Sequence, residues 1–233
     1  MRSAMLAAGL VWAIPLAAAP VPSTKPADDP VSPSAARLLQ FRKIQKELKL
    51  TPAQRIALVD GVEDISEAIE RKREKLLRDP NPTPDIFEKL EAEQKKSVQK
   101  FLASATTNIL TPESRARLRQ INAQVRGIEV LGDPAVQKLL SLTEKQKDAV
   151  SKAVKEQEEK IESYLNLMGN DSADNLKEEL LKFRSEQTKA ISGQFTPDQK
   201  VLWTSFLGEP VKGFDLVEMW ITLIETEDEP AMP

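Results

Sequence analysis

The chain has 233 residues, with 33 Lys and Arg against 36 Asp and Glu; this near balance excludes a whole-protein attraction to nucleic acid. It contains no His and no Cys, which excludes a disulfide framework and removes the usual ligands of zinc, copper and haem together with the commonest general base. Packing alone must hold it, and a chain of about 200 residues beyond any leader is long enough for a sizeable core.

Met1-Arg2-Ser3 opens the chain and an apolar run from Ala4 to Ala19 follows. A positive start, a short apolar stretch and a small-residue exit predict a secretory signal over residues 1–18, hence transport across the inner membrane to the periplasm. Pro15 interrupts the run, which is shorter than the ~20 residues of a membrane span, so no stable span is expected. Residues 19–36 carry repeated prolines and few bulky side chains, the composition of a disordered linker.

From residue 37 the pattern is helical. Leu50-Thr51-Pro52-Ala53-Gln54 precedes a stripe of Ile56, Val59, Val62, Ile65, Ile69 and Leu76 at helical spacing. Asp79 to Pro84 ends that helix, and Phe87, Leu90, Gln94, Val98, Phe101 and Ala105 form a returning stripe. Leu110-Thr111-Pro112-Glu113-Ser114 begins the next helix. A second series then runs through Leu142-Thr143-Glu144-Lys145-Gln146, an outgoing stripe of Val150, Val154, Gln157, Ile161 and Leu165, and a turn at Gly169 to Ser172. It returns along Leu176, Leu180, Phe183, Gln187 and Ile191 to Phe195-Thr196-Pro197-Asp198-Gln199. Residues 210–233 hold an apolar segment around Trp220, which follows neither period and is expected to pack on the helices, and an acidic tail.

The four pentads read as helix starts. Thr at the N-cap accepts from the N3 amide, Gln at N3 reaches back, and Pro at N1 loses no useful donor. Ser114 stands where the others have Gln, so its box is half formed. The N4 positions Arg55, Arg115, Lys147 and Lys200 are charged and offer no hydrophobic staple; Leu50, Leu110, Leu142 and Phe195 are therefore expected to pack across to another helix.

The pentads also betray a duplication. Residues 44–54 align without a gap on residues 136–146 at an offset of 92, and residues 110–118 align on 195–203 at an offset of 85, so the second copy is 7 residues shorter between its pentads. The expected fold is all-α: two tandem modules, repeat 1 over 37–130 and repeat 2 over 131–209, each a long antiparallel helix pair flanked by short helices.

At Leu50, Thr51 and Gln54, Leu110 and Thr111, Leu142, Thr143 and Gln146, and Phe195, Thr196 and Gln199, the chain resembles the Spy and CpxP family of exported helical proteins, whose signature is a paired Leu-Thr-x-x-Gln. The family's order of short helix, pentad, long hairpin, pentad and short helix fits both 41–122 and 135–206. The resemblance implies an ATP-independent periplasmic chaperone or envelope-stress protein without cofactors, whose partners are unfolded or partly folded envelope proteins. The alternative it leaves open is a regulator or scaffold for one envelope partner. It also implies a dimer, which this double-length chain would form as a homodimer or imitate as a monomer. The pentad residues are structural caps in this reading; no catalytic, cofactor or metal residue is expected. Acidic neighbours such as Glu158 and Glu159 point to different faces of one helix, and no convergent set suggests an enzyme.

Overall fold

The computed structural model describes residues 31–78, 86–167, 173–212 and 216–225, and every regular element among them is helical. In chain order these are α1 (Pro33–Arg37), α2 (Arg42–Glu47), α3 (Pro52–Leu77), α4 (Ile86–Asn108), α5 (Pro112–Arg126), α6 (Pro134–Leu139), α7 (Glu144–Asn166), α8 (Ala173–Gly193), α9 (Pro197–Leu207) and α10 (Leu216–Glu225). Short 3-10 turns join α1 to α2 (Leu38–Gln40) and α5 to α6 (Gly127–Gly132). The expected signal peptide, both hairpin turns and the acidic tail beyond residue 225 lie outside the described residues.

Two antiparallel hairpins carry the fold. Gln54 of α3 reaches Ile109 beyond the end of α4, Ser66 meets Gln94, and Lys72 pairs with Glu93. In the second hairpin Gln146 meets Gln194 at the root and Lys160 lies over the Phe183 ring farther out. Gly61 lets the first pair approach closely, since a Cβ there would overlap the Phe101 ring. Its counterpart at the offset of 92 is Ala153, so only the first hairpin has this contact.

Burial follows the same offset of 92 residues as the sequence alignment. Ala36, Leu38, Leu39, Ile44, Leu48 and Leu58 are buried, and so are their counterparts Ile128, Val130, Leu131, Val136, Leu140 and Val150. The 127–132 turn packs on α7 and α8, and α1 packs on α4 and α5.

Three expectations need correction. Ile56 and Val59 are exposed, and the inward line of α3 is the buried Leu58 and Ile69 with the half-buried Val62 and Ile65 between them. Leu58 lies on the inner side of the helix while Ile56 and Val59 lie off it, and a helix richer in apolar residues than its partner can cover leaves some in water. The linker is not irregular to residue 36: Ser32 caps α1, Pro33 occupies its first turn, and Val31, Ala35 and Ala36 are buried. Proline at N1 starts a helix as readily as it breaks one. Nor does packing divide at residue 130. One apolar core joins α1 to α5 with α10, Tyr164 and Leu180, and the other joins Ala123, Ile128 and Val130 to the root of the second hairpin.

The segment around Trp220 is the amphipathic helix α10, with Met219, Trp220, Ile221 and Ile224 buried against the first core. Burying such side chains is worth about 1.5–3 kcal/mol each. This is why a short helix at the end of the described chain stays docked.

Candidate functional site

Each pentad threonine is an N-cap with extended backbone, and its Oγ1 accepts from the N3 amide: Thr51 from Gln54, Thr111 from Ser114, Thr143 from Gln146 and Thr196 from Gln199. In three of the four, Gln Oε1 accepts in return from the threonine N–H, at 2.8 Å for Gln54, 3.0 Å for Gln146 and 2.9 Å for Gln199. The leading residues Leu50, Leu110, Leu142 and Phe195 are all buried. At α5 the Glu113 carboxyl is held below its ordinary range by the backbone amide at the helix start, by Thr111 and by Arg115.

The same glutamines also tie pentad to pentad. Gln54 Nε2 donates to the Ile109 carbonyl at 2.6 Å, and Ser114 Oγ donates to the Leu48 carbonyl at 3.2 Å. In the second copy Gln146 Nε2 donates to the Gln194 carbonyl at 3.0 Å and Gln199 Nε2 to the Leu140 carbonyl at 3.1 Å. The two donors and two acceptors correspond one to one between copies. Gln146 and Gln199 additionally form a reciprocal amide pair at 2.9 and 3.1 Å. Each Oε1 then accepts from its own cap and from its partner, and each Nε2 donates twice, which exhausts a side-chain amide. A cap alone is local; this arrangement locks two helix starts at the root of a hairpin. In the second copy both side-chain amides are satisfied internally, which makes these pentads a structural clasp.

A second polar cluster lies where the repeats join. Glu129, in the 127–132 turn, accepts at Oε1 from Gln157 Nε2 of α7 (2.6 Å) and Trp220 Nε1 of α10 (3.0 Å), with Arg126 near its Oε2 at 3.8 Å. Arg184 of α8 is the only buried charged side chain among the described residues, 6% exposed. Its Nη2 donates to the Val125 carbonyl, and its guanidinium lies 4.0 Å above the Trp220 ring. Gly127, at φ 60°, makes room for it: a Cβ there would stand 2.9 Å from Nη2 in a backbone region that side chains disfavour.

Burial pushes the Glu129 carboxyl up, against the lowering pull of Trp220, Arg184, Arg126 and Gln157. It pushes the Arg184 guanidinium down to about 10, against the pull of Glu129. Arg184 Nη1 and Gln157 Oε1 are buried without a hydrogen-bond partner. An unmet buried donor or acceptor costs about 1–3 kcal/mol, more when charged. The first copy has nothing comparable. At the same offsets Arg37, Ile65 and Gln99 stand for Glu129, Gln157 and Arg184, and none of them is a buried ion. The cluster has a structural role of its own, since Trp220 of α10 donates to Glu129 and lies under Arg184.

Sequence reasoning missed Arg184, which sits between Phe183 and Ser185 on a charged helix and reads as solvated. The signal lay in the comparison of copies: a Gly in the 127 turn and a Gln on the core stripe at 157. Among the described residues no group of three or more Asp or Glu is placed to hold a metal ion, and no helix is long and apolar enough to cross a membrane. The chain matches no protein-family model, no curated protein and no solved structure.

Proposed function

We propose that this chain is an exported, non-enzymatic binding protein that holds unfolded or partly folded proteins in the periplasm without ATP or a cofactor, in the manner its pentads resemble. The outer face of α3 carries this reading. Ile56 and Val59 are 58% and 48% exposed, one turn apart, beside the exposed acids Asp60 and Glu63. Charge speeds encounter and a small apolar area keeps contact weak, so a client is caught quickly and released without work.

The shared cores support a monomer in place of the family's dimer, since Tyr164 and Leu180 of one repeat pack into the core of the other. The rival reading, a regulator that grips one partner through Trp220, draws no support from α10. That ring is 3% exposed, with its N–H on Glu129 and the Arg184 guanidinium over one face.

The test is aggregation of several unrelated denatured proteins without nucleotide. Near-stoichiometric protein should slow it, and rising salt should weaken capture. The double variant Ile56→Ser, Val59→Ser should lose much of this effect with an unchanged melting midpoint, because both side chains are already in water. Failure with every client rules the reading out, and equal activity of the double variant removes α3 from it.

A further inference from the structure

Between Ile56 and Glu70, α3 carries Asp60, Glu63, Asp64, Glu67 and Glu70 and no Lys or Arg, and all of these acids are exposed. Residues three and four apart are neighbours on a helix surface, so Ile56, Val59, Asp60, Glu63 and Glu67 form one outward strip with Asp64 at its border. Two of the acids are matched on the same helix, Glu67 by Arg71 at 3.4 Å and Glu70 by Arg73 at 2.7 Å. Asp60, Glu63 and Asp64 make no ion pair with any described residue. Like charges four residues apart repel, so Asp60 with Asp64 and Glu63 with Glu67 weaken the helix they stand on. The second copy solves the same face differently. At the offset of 92, Asp148, Ser151, Lys152 and Lys155 stand for Ile56, Val59, Asp60 and Glu63, and the two lysines lie 3.7 Å from Glu156 and 3.9 Å from Glu159. One copy thus has an outer face that pairs with itself, and the other has exposed apolar side chains beside unmatched negative charge.

We propose, building on the chaperone reading above, that this strip selects its clients by chemistry: it takes segments of an unfolded chain in which Lys or Arg flank an apolar side chain. From Ile56 to Glu67 the strip runs about 16 Å, the length of about five residues of extended chain. Its apolar end, Ile56 and Val59, receives the apolar side chain, and Asp60, Glu63 and Asp64 receive the cations. An anionic segment meets the same carboxylates and is repelled, so charge decides which segment stays. Exposed ion pairs are individually weak, which suits a contact that must be given up without ATP.

Fluorescence anisotropy on the purified protein at low salt tests this with two labelled peptides of equal length. They share their leucines and differ only in carrying Lys or Glu between them. The Lys peptide should bind roughly fivefold or more tightly, the combined effect of a few exposed charge pairs, and the ratio should fall toward one at about 0.5 M salt. Asp60→Lys, Glu63→Lys gives α3 the residues its duplicate has there, with Asp64 and Glu67 four residues on as partners. This variant should fold as the wild type does and lose or reverse the preference. Acids elsewhere on the chain are untouched in it, so a preference that survives the change overturns the proposal. Equal affinity for the two peptides, or binding of neither, overturns it as well. The variant should still slow aggregation of clients poor in Lys and Arg, because Ile56 and Val59 remain, so loss of the cation preference and failure of the chaperone reading are seen separately.

Discussion

Gln199→Glu separates the two jobs of the pentad glutamine. Capping boxes accept Glu as readily as Gln at N3, because both supply an oxygen for the N-cap amide. Only Gln also has an N–H₂ to give away. In the variant one carboxylate oxygen still accepts from Thr196 N and Gln146 Nε2, replacing bonds of 2.9 Å each. The other oxygen faces the Leu140 carbonyl and Gln146 Oε1, where Nε2 donated at 3.1 Å to both. Two hydrogen bonds at about 1 kcal/mol each are lost, and stranding the carbonyl of the fully buried Leu140 adds about 1–3 kcal/mol. Negative charge in a first helical turn returns about 0.3–1 kcal/mol. The net expectation is a loss of about 2–5 kcal/mol, roughly 4–20 °C in melting midpoint for a domain of this size. Urea unfolding followed by helical circular dichroism measures it. A Gln199→Glu protein as stable as wild type would refute the clasp and leave the pentads as ordinary caps.

Ser114→Gln should raise stability by about 1 kcal/mol, because a glutamine there completes the reciprocal box at Thr111 and reaches the Leu48 carbonyl with a second donor to spare; an unchanged or lowered urea midpoint counts against the correspondence between the copies. Lys49 and Ser141 close α2 and α6 with φ of 54° and 49°, each within a Schellman arrangement in which Leu50 N donates to the Gln45 carbonyl and Leu142 N to that of Gln137. Glycine is the residue this position favours, so Lys49→Gly and Ser141→Gly should each stabilise by about 0.5–1 kcal/mol, and a loss of melting temperature in both would contradict the left-handed geometry. For Glu129, burial raises the folded value above the unfolded one, so the native state binds more protons between the two. Stability contributed by this group is therefore greatest below the ordinary carboxylate range and falls as pH rises through the raised folded value. Glu129→Gln should flatten that part of the stability profile, and parallel profiles for variant and wild type would show that Glu129 is not the group responsible.

The caps were legible in the sequence because a capping box closes within four residues, and Thr51, Gln54 and their counterparts carry all of its chemistry. The clasp was not, since it joins Gln54 to Ile109 and Gln199 to Leu140 across a hairpin, and sequence spacing is silent on which carbonyl a spare amide meets. The all-α class and the hairpin stripes followed from periodicity. The error at Ile56 and Val59 came from the same source: spacing tells which residues share a face and not how wide a face the partner helix covers. α10 escaped because ten residues give a period of 3.6 fewer than three turns in which to show itself. Arg184 escaped because its burial depends on the Trp220 ring, on Glu129 and on the absence of a side chain at Gly127, each on a different element.

The missing 7 residues of the second copy are shared out rather than taken from one place. α7 has 23 residues where α3 has 26, α8 has 21 where α4 has 23, and the remainder comes from the turn. At 1.5 Å per residue the three residues lost from the outgoing arm and the two lost from the returning arm shorten them by about 4.5 and about 3 Å. Neither loss is a whole helical turn, and Ile191 at the root is buried all the same, so length has been taken from the far end of the arms without turning the residues near the pentads. Insertions or deletions in chains of this design should therefore be tolerated at the far end of the hairpin, with the clasp at the root as the fixed origin from which length is counted.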